Sequence, residues 1–183
     1  MPRQCSYPNV HLPAVKPYYS QSMEKGIQIR LAKQKDAETI REIYNHEVRN
    51  STATFDLVER TTEEQEEWLT ERSGAFSVLV AEMSNKILGF ASLSPYKSRA
   101  AYRTTVEDSI YINEEFRNQG IAGELLFHLL EVAKSSGFHA VIARIGGANE
   151  ASIALHQRFD FEIVGTEKEI GRKFGKWQDV VVM

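Results

Sequence analysis

The chain has 183 residues, of which 42% are hydrophobic and 26% charged, and its formal net charge is −3. This length and composition fit one globular domain with a substantial core, and the slightly acidic balance excludes a sequence-wide basic field for nucleic acid or an anionic membrane. The single cysteine, Cys5, excludes an internal disulfide framework. Apolar runs stay below the roughly 18 residues of a transmembrane helix, and the N-terminus lacks the apolar stretch of a signal peptide, so a cytoplasmic protein is expected.

Regular patterning begins after an N-terminal arm. Residues 1–25 hold four of the five prolines and show neither a helical nor a strand period. An extended arm is therefore predicted for 1–25 and a single folded domain for 26–183. The alternation of apolar and polar residues over 27–31 predicts a half-buried strand. Asp36 is placed to cap the next helix, whose apolar residues recur with helical spacing as far as Val48.

The next part of the chain combines a polar helix with several strands. Thr61 and Glu64 have the spacing of a capping box, and so have Thr62 and Gln65. The helix that starts there is expected to end at Gly74. Residues 52–55 are predicted to be extended, and Ser84-Asn85 separates two apolar runs as a hairpin turn does. Strands are predicted at residues 76–82, 86–93, 105–112, 140–145, 161–166 and 179–183.

The strongest helical pattern follows the strand at 105–112. Apolar residues fall at i, i+3, i+4, i+7, i+8 and i+11 from Ala122 to Ala133, and Gly137 supplies a C-terminal stop. Asn149 is the N-cap candidate of one further short helix. Strands and helices in this order predict an α/β fold, a mixed sheet flanked by helices.

The segment that says most about function joins this strand to this helix. It reads Arg117-Asn118-Gln119-Gly120-Ile121-Ala122-Gly123, and we call it the amide turn. Its small residues leave the backbone uncovered, and the first N–H groups of a helix have no internal partner and lie at the positive end of the dipole. Such a turn binds phosphate, and Arg117 would add a charged donor.

Three phosphate-binding motifs compete for the amide turn. A Walker P-loop requires a Gly-Lys-Ser/Thr ending, which is absent, and a dinucleotide fingerprint requires a third glycine, which is missing. The pattern Arg/Gln-x-x-Gly-x-Gly/Ala is met by Arg117, Gly120 and Ala122. It resembles the pyrophosphate loop of the GCN5-related N-acetyltransferase superfamily.

Other segments are similar to one branch of that superfamily. Asn149 opens a helix that runs to a Phe-Asp-Phe exit, where Asp160 stands at the place of the usual glycine. Further matching segments are Tyr44-Asn45, residues 51–55, Thr105-Val106-Glu107 and residues 171–177. Together they look like the phosphinothricin and methionine-sulfoximine acetyltransferase branch, over roughly residues 27–183.

The resemblance implies a centrally splayed sheet, acetyl-CoA as co-substrate and direct acetyl transfer to a primary amine. Amines of amino acids are mostly protonated near neutral pH, so a base must accept a proton; the resemblance places this base at Glu107. It also implies that His156 protonates the leaving thiolate, with a packed or hydrogen-bonded helix histidine as the alternative. The backbone N–H groups of residues 110–112, where the superfamily distorts this strand, are implied to polarise the thioester carbonyl.

The resemblance assigns the remaining binding residues. For acetyl-CoA they are Ile110, Tyr111, Ile112, Arg117, Asn118, Gln119, Gly120, Ile121, Ala122, Gly123, Asn149, Ser152 and Arg158. For the amine substrate they are Ala100, Ala101, Tyr102, Glu107, Phe174 and Trp177, the last two as pocket walls across a homodimer interface. The histidines are scattered and there is no cysteine cluster, so no metal is expected.

The expected activity is acetylation of the α-amine of a small amino-acid analogue. Phosphinothricin, methionine sulfoximine and methionine sulfone are the expected substrates, in a detoxification or herbicide-resistance role. The expected partners are this small molecule and a second copy of the chain, without nucleic acid or membrane. Two alternatives stay open, namely another amine (a polyamine, an aminoglycoside or a peptide N-terminus) and a coenzyme A-binding sensor without catalysis. Glu107 argues against the sensor, because coenzyme binding alone needs no carboxylate there.

Overall fold

The computed structural model describes residues 26–147 and 149–183, and in this part of the chain eight strands and four α-helices form the fold. The strands are β1 Gln28–Leu31, β2 Leu79–Met83, β3 Lys86–Pro95, β4 Thr105–Ile112, β5 Ala140–Ile142, β6 Arg144–Gly146, β7 Gly165–Lys173 and β8 Lys176–Val182. The helices are α1 Ala37–Asn50, α2 Thr62–Thr70, α3 Ile121–Ser135 and α4 Glu150–Gln157. The arm predicted at 1–25 lies outside the described residues.

The strands form two sheets that separate in the middle of the molecule. The larger has the order β1-β2-β3-β4-β5 and the smaller β6-β8-β7. β4 pairs with β3 along its length, but it pairs with the parallel β5 only from Thr105 to Glu107. At Ala143 the chain leaves β5, and β6 pairs with β8 instead. The sheet is therefore mixed and splayed beyond Glu107, and the predicted fold class is confirmed.

Helices cover both faces of the larger sheet. On one face, α1 and α2 bury residues such as Ile40 and Leu69 against Val80 and Phe90. On the other face, the apolar stripe of α3 packs against a second cluster of strand residues. Each fully buried large aliphatic or aromatic side chain stabilises the fold by about 1.5–3 kcal/mol through removal from water. The two helical layers therefore fix the position of β4 in the sheet.

Several local predictions are confirmed because the deciding contact is close in sequence. The Thr61 hydroxyl accepts a hydrogen bond from the Glu64 N–H (3.2 Å) and the Glu64 carboxylate accepts one from the Thr61 N–H (2.8 Å), which completes the capping box. Ser84 and Asn85 both have positive φ in the β2–β3 turn, as a tight hairpin requires. Gly137 follows α3 with φ +78°.

Two predicted helix ends are wrong. The Asp36 side chain does not cap α1. Its carboxylate instead accepts a hydrogen bond from the Lys33 N–H (2.7 Å) and forms an ion pair with Arg30, both of which precede the helix. α2 ends at Thr70 rather than at Gly74, which opens a 3-10 turn. This turn delays β2 to Leu79.

Three predicted extended segments are also corrected. Residues 52–55 form no strand, and the run 140–145 is divided at Ala143, where it changes its sheet partner. The run 161–166 enters β7 only at Gly165, because the Phe161 N–H bonds to the His156 carbonyl (3.1 Å) and so belongs to the exit of α4. At that exit Asp160 has φ +60°, the left-handed conformation that glycine adopts most easily.

Candidate active site

The amide turn presents free backbone donors at the start of α3. Gly120 is the N-cap with φ +87°, and a Cβ added there would meet no atom within 4 Å. The N–H groups of Gly123 and Glu124 bond back to the Gly120 carbonyl (3.0 and 3.3 Å). Those of Ile121 and Ala122 donate to no carbonyl of the described chain. Two amides at the positive end of α3 are thus available to an anion.

Arg117 is held beside this turn by a buried carboxylate. Its guanidinium donates to Glu47 of α1, which is 4% exposed, and the Ser51 hydroxyl donates to the same carboxylate. The Arg117 side chain itself remains 45% exposed. The charge of Arg117 is therefore fixed at the rim of the turn and still accessible to a ligand.

A cleft of about 710 Å³ opens where the two sheets separate. Its walls come from the amide turn, the C-terminal half of β4, the segment 51–55, β6 and the first turns of α4. Among the predicted acetyl-CoA residues, those lining this cleft are Ile110, Tyr111, Ile112, Arg117, Asn118, Gly120, Ile121, Ala122, Gly123, Asn149, Ser152 and Arg158. Gln119 is not part of the lining. The fold thus gathers into one cavity predicted acetyl-CoA residues that are up to 48 positions apart in sequence.

Hydrogen bonds at the two ends of β4 show which way its amides point. The Asn113 N–H donates to the Leu88 carbonyl on the β3 side (2.9 Å), and the Thr104 carbonyl accepts from the His139 N–H on the β5 side (2.8 Å). Successive residues of a strand direct their backbone groups to opposite neighbours. Because the register with β3 is uninterrupted, odd-numbered residues of β4 face β3 and even-numbered residues face the β5 side.

This alternation leaves two β4 amides facing the cleft. β5 pairs with β4 no further than Glu107, so the N–H groups of Ile110 and Ile112 are directed to the open side. The N–H of Tyr111 is directed to β3, and Tyr111 lines the cleft without offering this donor. The expected strand distortion is absent, since β4 pairs with β3 without a bulge. Two preorganised donors rather than three are therefore placed to stabilise negative charge on a carbonyl oxygen.

Glu107 lines the same cleft and is half-buried. Burial raises the pKa of the Glu107 carboxyl above its ordinary value; the guanidinium of Arg144 opposes the rise, and the carboxylates of Asp108 and Glu167 add to it. A carboxylate with a raised pKa is a better proton acceptor near neutral pH. The geometry therefore suits Glu107 to act as a general base.

His156 is buried in α4 and contacts a carboxylate of β4. Its Nε2 lies 3.0 Å from Asp108 Oδ2, and its Nδ1 lies 2.7 Å from the Ser152 carbonyl oxygen. Burial alone lowers the pKa of His156, but the hydrogen bond and charge of Asp108, together with the Ser152 carbonyl, raise it above its ordinary value. Both residues line the cleft.

The predicted amine-binding residues other than Glu107 lie outside this cleft. Ala100, Ala101 and Tyr102 form a 3-10 turn before β4, and Tyr102 lines a separate depression with Lys97, Ser98 and Arg99. Phe174 and Trp177 are 55% and 61% exposed at the β7–β8 turn. A single chain therefore brings together the predicted catalytic residues and the predicted acetyl-CoA residues other than Gln119. Of the predicted amine-binding residues it adds only Glu107 to this cleft.

Two residues of the cleft were not predicted from the sequence, although each left a signal. Glu47 occupies an apolar position of α1, four residues after Ile43. Asp108 interrupts the apolar face of β4 that carries Val106 and Ile110. A charged residue at a core position is costly unless it has a partner, and here the partners are Arg117 and His156, which only the tertiary structure identifies.

Comparison with known proteins agrees with this geometry. A match to the family described as Acetyltransferase (GNAT) domain extends over residues 29–182. The chain belongs to this family. It is 38% identical over 158 residues to the phosphinothricin N-acetyltransferase of Streptomyces coelicolor, covering 84% of this chain and 92% of that protein. It is 36% identical over 157 residues to the L-methionine sulfoximine/L-methionine sulfone acetyltransferase of Pseudomonas aeruginosa, covering 85% and 91%.

Solved structures extend the relationship to the co-substrate. A phosphinothricin acetyltransferase from Sinorhizobium meliloti in complex with acetyl-CoA has a TM-score of 0.82 and 36% identity to this chain, over 86% of each. This GNAT protein is thus an acetyl-CoA-dependent N-acetyltransferase. Its cleft fits that co-substrate, because open space lies over Gly120 beside unpaired amides.

Two further findings concern metals and membranes. Within residues 26–147 and 149–183, no group of three or more His, Cys, Asp or Glu side chains is arranged to hold a metal ion. No helix in the same part of the chain is long and apolar enough to cross a membrane.

Proposed function

We propose that this acetyltransferase acts on the α-amine of a small amino-acid analogue, namely phosphinothricin, methionine sulfoximine or methionine sulfone. The observation that carries the proposal is the presence of Glu107, with its raised pKa, in the same cleft as the free amides of the amide turn and of β4. The named activities of the S. coelicolor and P. aeruginosa relatives support this substrate class. The corresponding biological role is detoxification, including herbicide resistance.

The proposed mechanism assigns one task to each group of residues. Bound acetyl-CoA supplies an activated acetyl thioester for direct transfer. The amide turn and Arg117 bind and orient its diphosphate, and the N–H groups of Ile110 and Ile112 donate to the carbonyl oxygen on which negative charge develops. Glu107 accepts a proton from the substrate ammonium, so that the amine becomes nucleophilic; a base placed in this way contributes about 10²–10⁴-fold to the rate.

The carboxylate of an amino acid would need a cationic site near the amine. The loop that precedes β4 offers Lys97 and Arg99 around a depression of about 560 Å³. Glu107 is only two residues into β4 from its Thr105 start. We therefore place the substrate carboxylate toward this loop, with residues 100–102 as the contacting turn.

We further propose that the functional unit is a homodimer. Ile170, Phe174 and Trp177 are exposed large apolar residues close together in the β7–β8 hairpin, and exposed apolar groups of this kind mark protein contacts. A second copy would cover them and could bring Phe174 and Trp177 to the neighbouring cleft. Sedimentation of the full chain and of Trp177→Ala tests this; a monomer at micromolar concentration contradicts it.

A substrate panel tests the proposed activity. Release of free coenzyme A is measured with L-phosphinothricin, L-methionine sulfoximine and L-methionine sulfone, beside spermidine, an aminoglycoside and a peptide with a free N-terminus. We expect the highest kcat/KM with the amino-acid analogues and a large loss with methionine sulfone amide, which keeps the α-amine and lacks the carboxylate. Turnover confined to the polyamine, the aminoglycoside or the peptide contradicts the proposal.

A further inference from the structure

Lys173 is a buried lysine at the end of a strand that is otherwise accessible. It is 3% exposed, and among the nine residues of β7, all of which the structure describes, it is the only buried one. Its ammonium donates to the carbonyl oxygens of Thr54 (2.7 Å) and Glu47 (3.4 Å). Burial lowers the pKa of Lys173, and the carboxylates of Asp56 and Glu47 oppose the fall. A buried charge is costly unless it is paired and hydrogen-bonded, so these contacts are what stabilises the buried ammonium.

The Thr54 carbonyl belongs to residues 51–55, which we call the strap. The strap forms neither helix nor strand, and all five of its residues line the cleft that contains Glu107. Among the described residues, the donor that reaches the Thr54 carbonyl is Lys173, 119 positions along the chain. The position of this cleft wall therefore depends on a side chain from the smaller sheet.

The side chain of Thr54 is held by a second element, α1. The Tyr44 O–H donates to Asp56 Oδ2 (2.6 Å), so the contact between the Tyr44 and Thr54 hydroxyls (2.9 Å) uses the Thr54 hydrogen. The Thr54 oxygen accepts in turn from the Asp56 N–H (3.2 Å). The Tyr44 ring packs edge-on against Tyr111 of β4, with the ring centres 5.2 Å apart. Thr54 thus belongs to a series of contacts that runs from β4 in the larger sheet to β7 in the smaller one.

Glycines of the smaller sheet let the strap lie directly on its backbone. A Cβ added at Gly171 of β7 would lie 2.4 Å from the Phe55 ring. A Cβ at Gly146 of β6 would lie 2.6 Å from the Thr52 carbonyl oxygen. Both distances are shorter than any ordinary contact of a Cβ atom. The strap therefore spans the opening between the two sheets without room for a side chain beneath it.

We propose that Lys173 is a positioning residue that holds the strap across the opening between the sheets and so fixes one wall of the cleft that contains Glu107; the consequence for the amine rests on the proposed function. Without the ammonium, the Thr54 carbonyl loses its donor and the strap populates other positions. A site that is complete for only part of the time binds its ligand more weakly, in proportion to that fraction. The donors of the amide turn lie at the start of α3, so the diphosphate of acetyl-CoA does not depend on the strap.

The test compares Lys173→Met with Lys176→Met, the same change at the exposed position directly across the β7–β8 turn. The assay uses the amine of the substrate panel with the highest kcat/KM. In Lys173→Met the KM for this amine should rise at least about fivefold, while kcat and the acetyl-CoA Kd stay within about twofold. Exchange of the Ala53 and Asp56 amide hydrogens, followed by NMR without ligand, should accelerate at least about tenfold. Lys176→Met should match the native chain in all four measurements.

A second pair of variants moves the strap without changing Lys173. The methyl group of Gly171→Ala would collide with the Phe55 ring, whereas Gly165→Ala adds the same group to β7 with no atom within 4 Å. Neither glycine has a positive φ, so the backbone tolerates both changes equally. Gly171→Ala should raise the amine KM as Lys173→Met does, and Gly165→Ala should not. If Lys173→Met does not fold, this pair decides, and an unchanged KM in Gly171→Ala refutes the proposal.

Three further results would overturn the proposal. Unchanged amide exchange in Lys173→Met would show that the ammonium does not hold the strap. Faster exchange with an unchanged amine KM would show that the strap does not shape the amine site. An equal effect of Lys176→Met would show that the buried contact is not the cause. Failure of the proposed function is distinguishable, because no amine is then acetylated while amide exchange still reports on Lys173 and the strap.

Discussion

Replacing Gly120 by alanine tests the backbone geometry of the amide turn together with the open space over it. The native φ is +87°, and open space lies over the position. The left-handed conformation costs an alanine about 1–2 kcal/mol, partly offset by the smaller entropy of the unfolded chain, about 0.4–1 kcal/mol. The net loss of up to about 1.6 kcal/mol corresponds to a fall of up to about 6 °C in Tm for a domain of this size.

The effect on acetyl-CoA should be larger than the effect on stability. If the turn keeps its conformation, the new methyl group occupies the open space over the amides of Ile121 and Ala122. If the turn relaxes to a right-handed conformation, those amides change direction. Hydrogen bonds to a charged group contribute about 1.5–3 kcal/mol each, so losing one raises the acetyl-CoA Kd about tenfold or more. Calorimetry with the full chain measures this.

Gly137 provides the matched control at the other end of α3. It has φ +78° and equally open space, but it does not line the cleft. Gly137→Ala should lower Tm by a similar amount and leave the acetyl-CoA Kd unchanged. If the two variants affect the Kd equally, or if Gly120→Ala leaves it unchanged, the assignment of the amide turn to the diphosphate is refuted.

Three further predictions concern catalysis, stability and pH. Glu107→Gln should lower kcat about 10²–10⁴-fold with an unchanged acetyl-CoA Kd; equal changes in both would indicate a structural role. Thr61→Ala removes the acceptor for the Glu64 N–H and should cost about 1 kcal/mol in urea unfolding, whereas Thr62→Ala should cost clearly less. The pKa of His156 is higher in the folded chain than the ordinary value of 6.5. Protonated His156 therefore stabilises the fold below pH 6.5, and this contribution is lost as the pH rises through the pKa of the folded chain. The difference in unfolding free energy between native and His156→Gln should therefore shrink across this window, and a growing difference would contradict the pairing.

The elements that could be predicted are those fixed by neighbours in sequence. The capping box at Thr61, the stripe of α3 and the hairpin at Ser84 depend on contacts within a few residues, and all three are present. The division of 140–145 at Ala143 could not be predicted, because an apolar run does not show which strand it will pair with. Residues 161–164 have the apolar pattern of a strand. The Phe161 N–H, however, bonds to the His156 carbonyl at the exit of α4, and the strand begins only at Gly165.

The same distinction holds for the cleft. Gly120, Glu107 and His156 belong to segments with a recognisable order, and the fold brings them to one cavity. Asp108 and Glu47 remained unpredicted because their partners are 48 and 70 residues away. The predicted amine-binding residues other than Glu107 lie outside the cleft of one chain. The role of Phe174 and Trp177 stays a prediction that depends on a second copy.

Amide NMR shifts during titration with coenzyme A and with acetyl-CoA test the central claim most directly. The amides of Ile121 and Ala122 should shift with both ligands, because both carry the diphosphate. Those of Ile110 and Ile112 should shift further with acetyl-CoA than with coenzyme A, because only acetyl-CoA has the thioester carbonyl. Saturating acetyl-CoA that leaves the resonances of Ile121 and Ala122 unmoved would contradict the account.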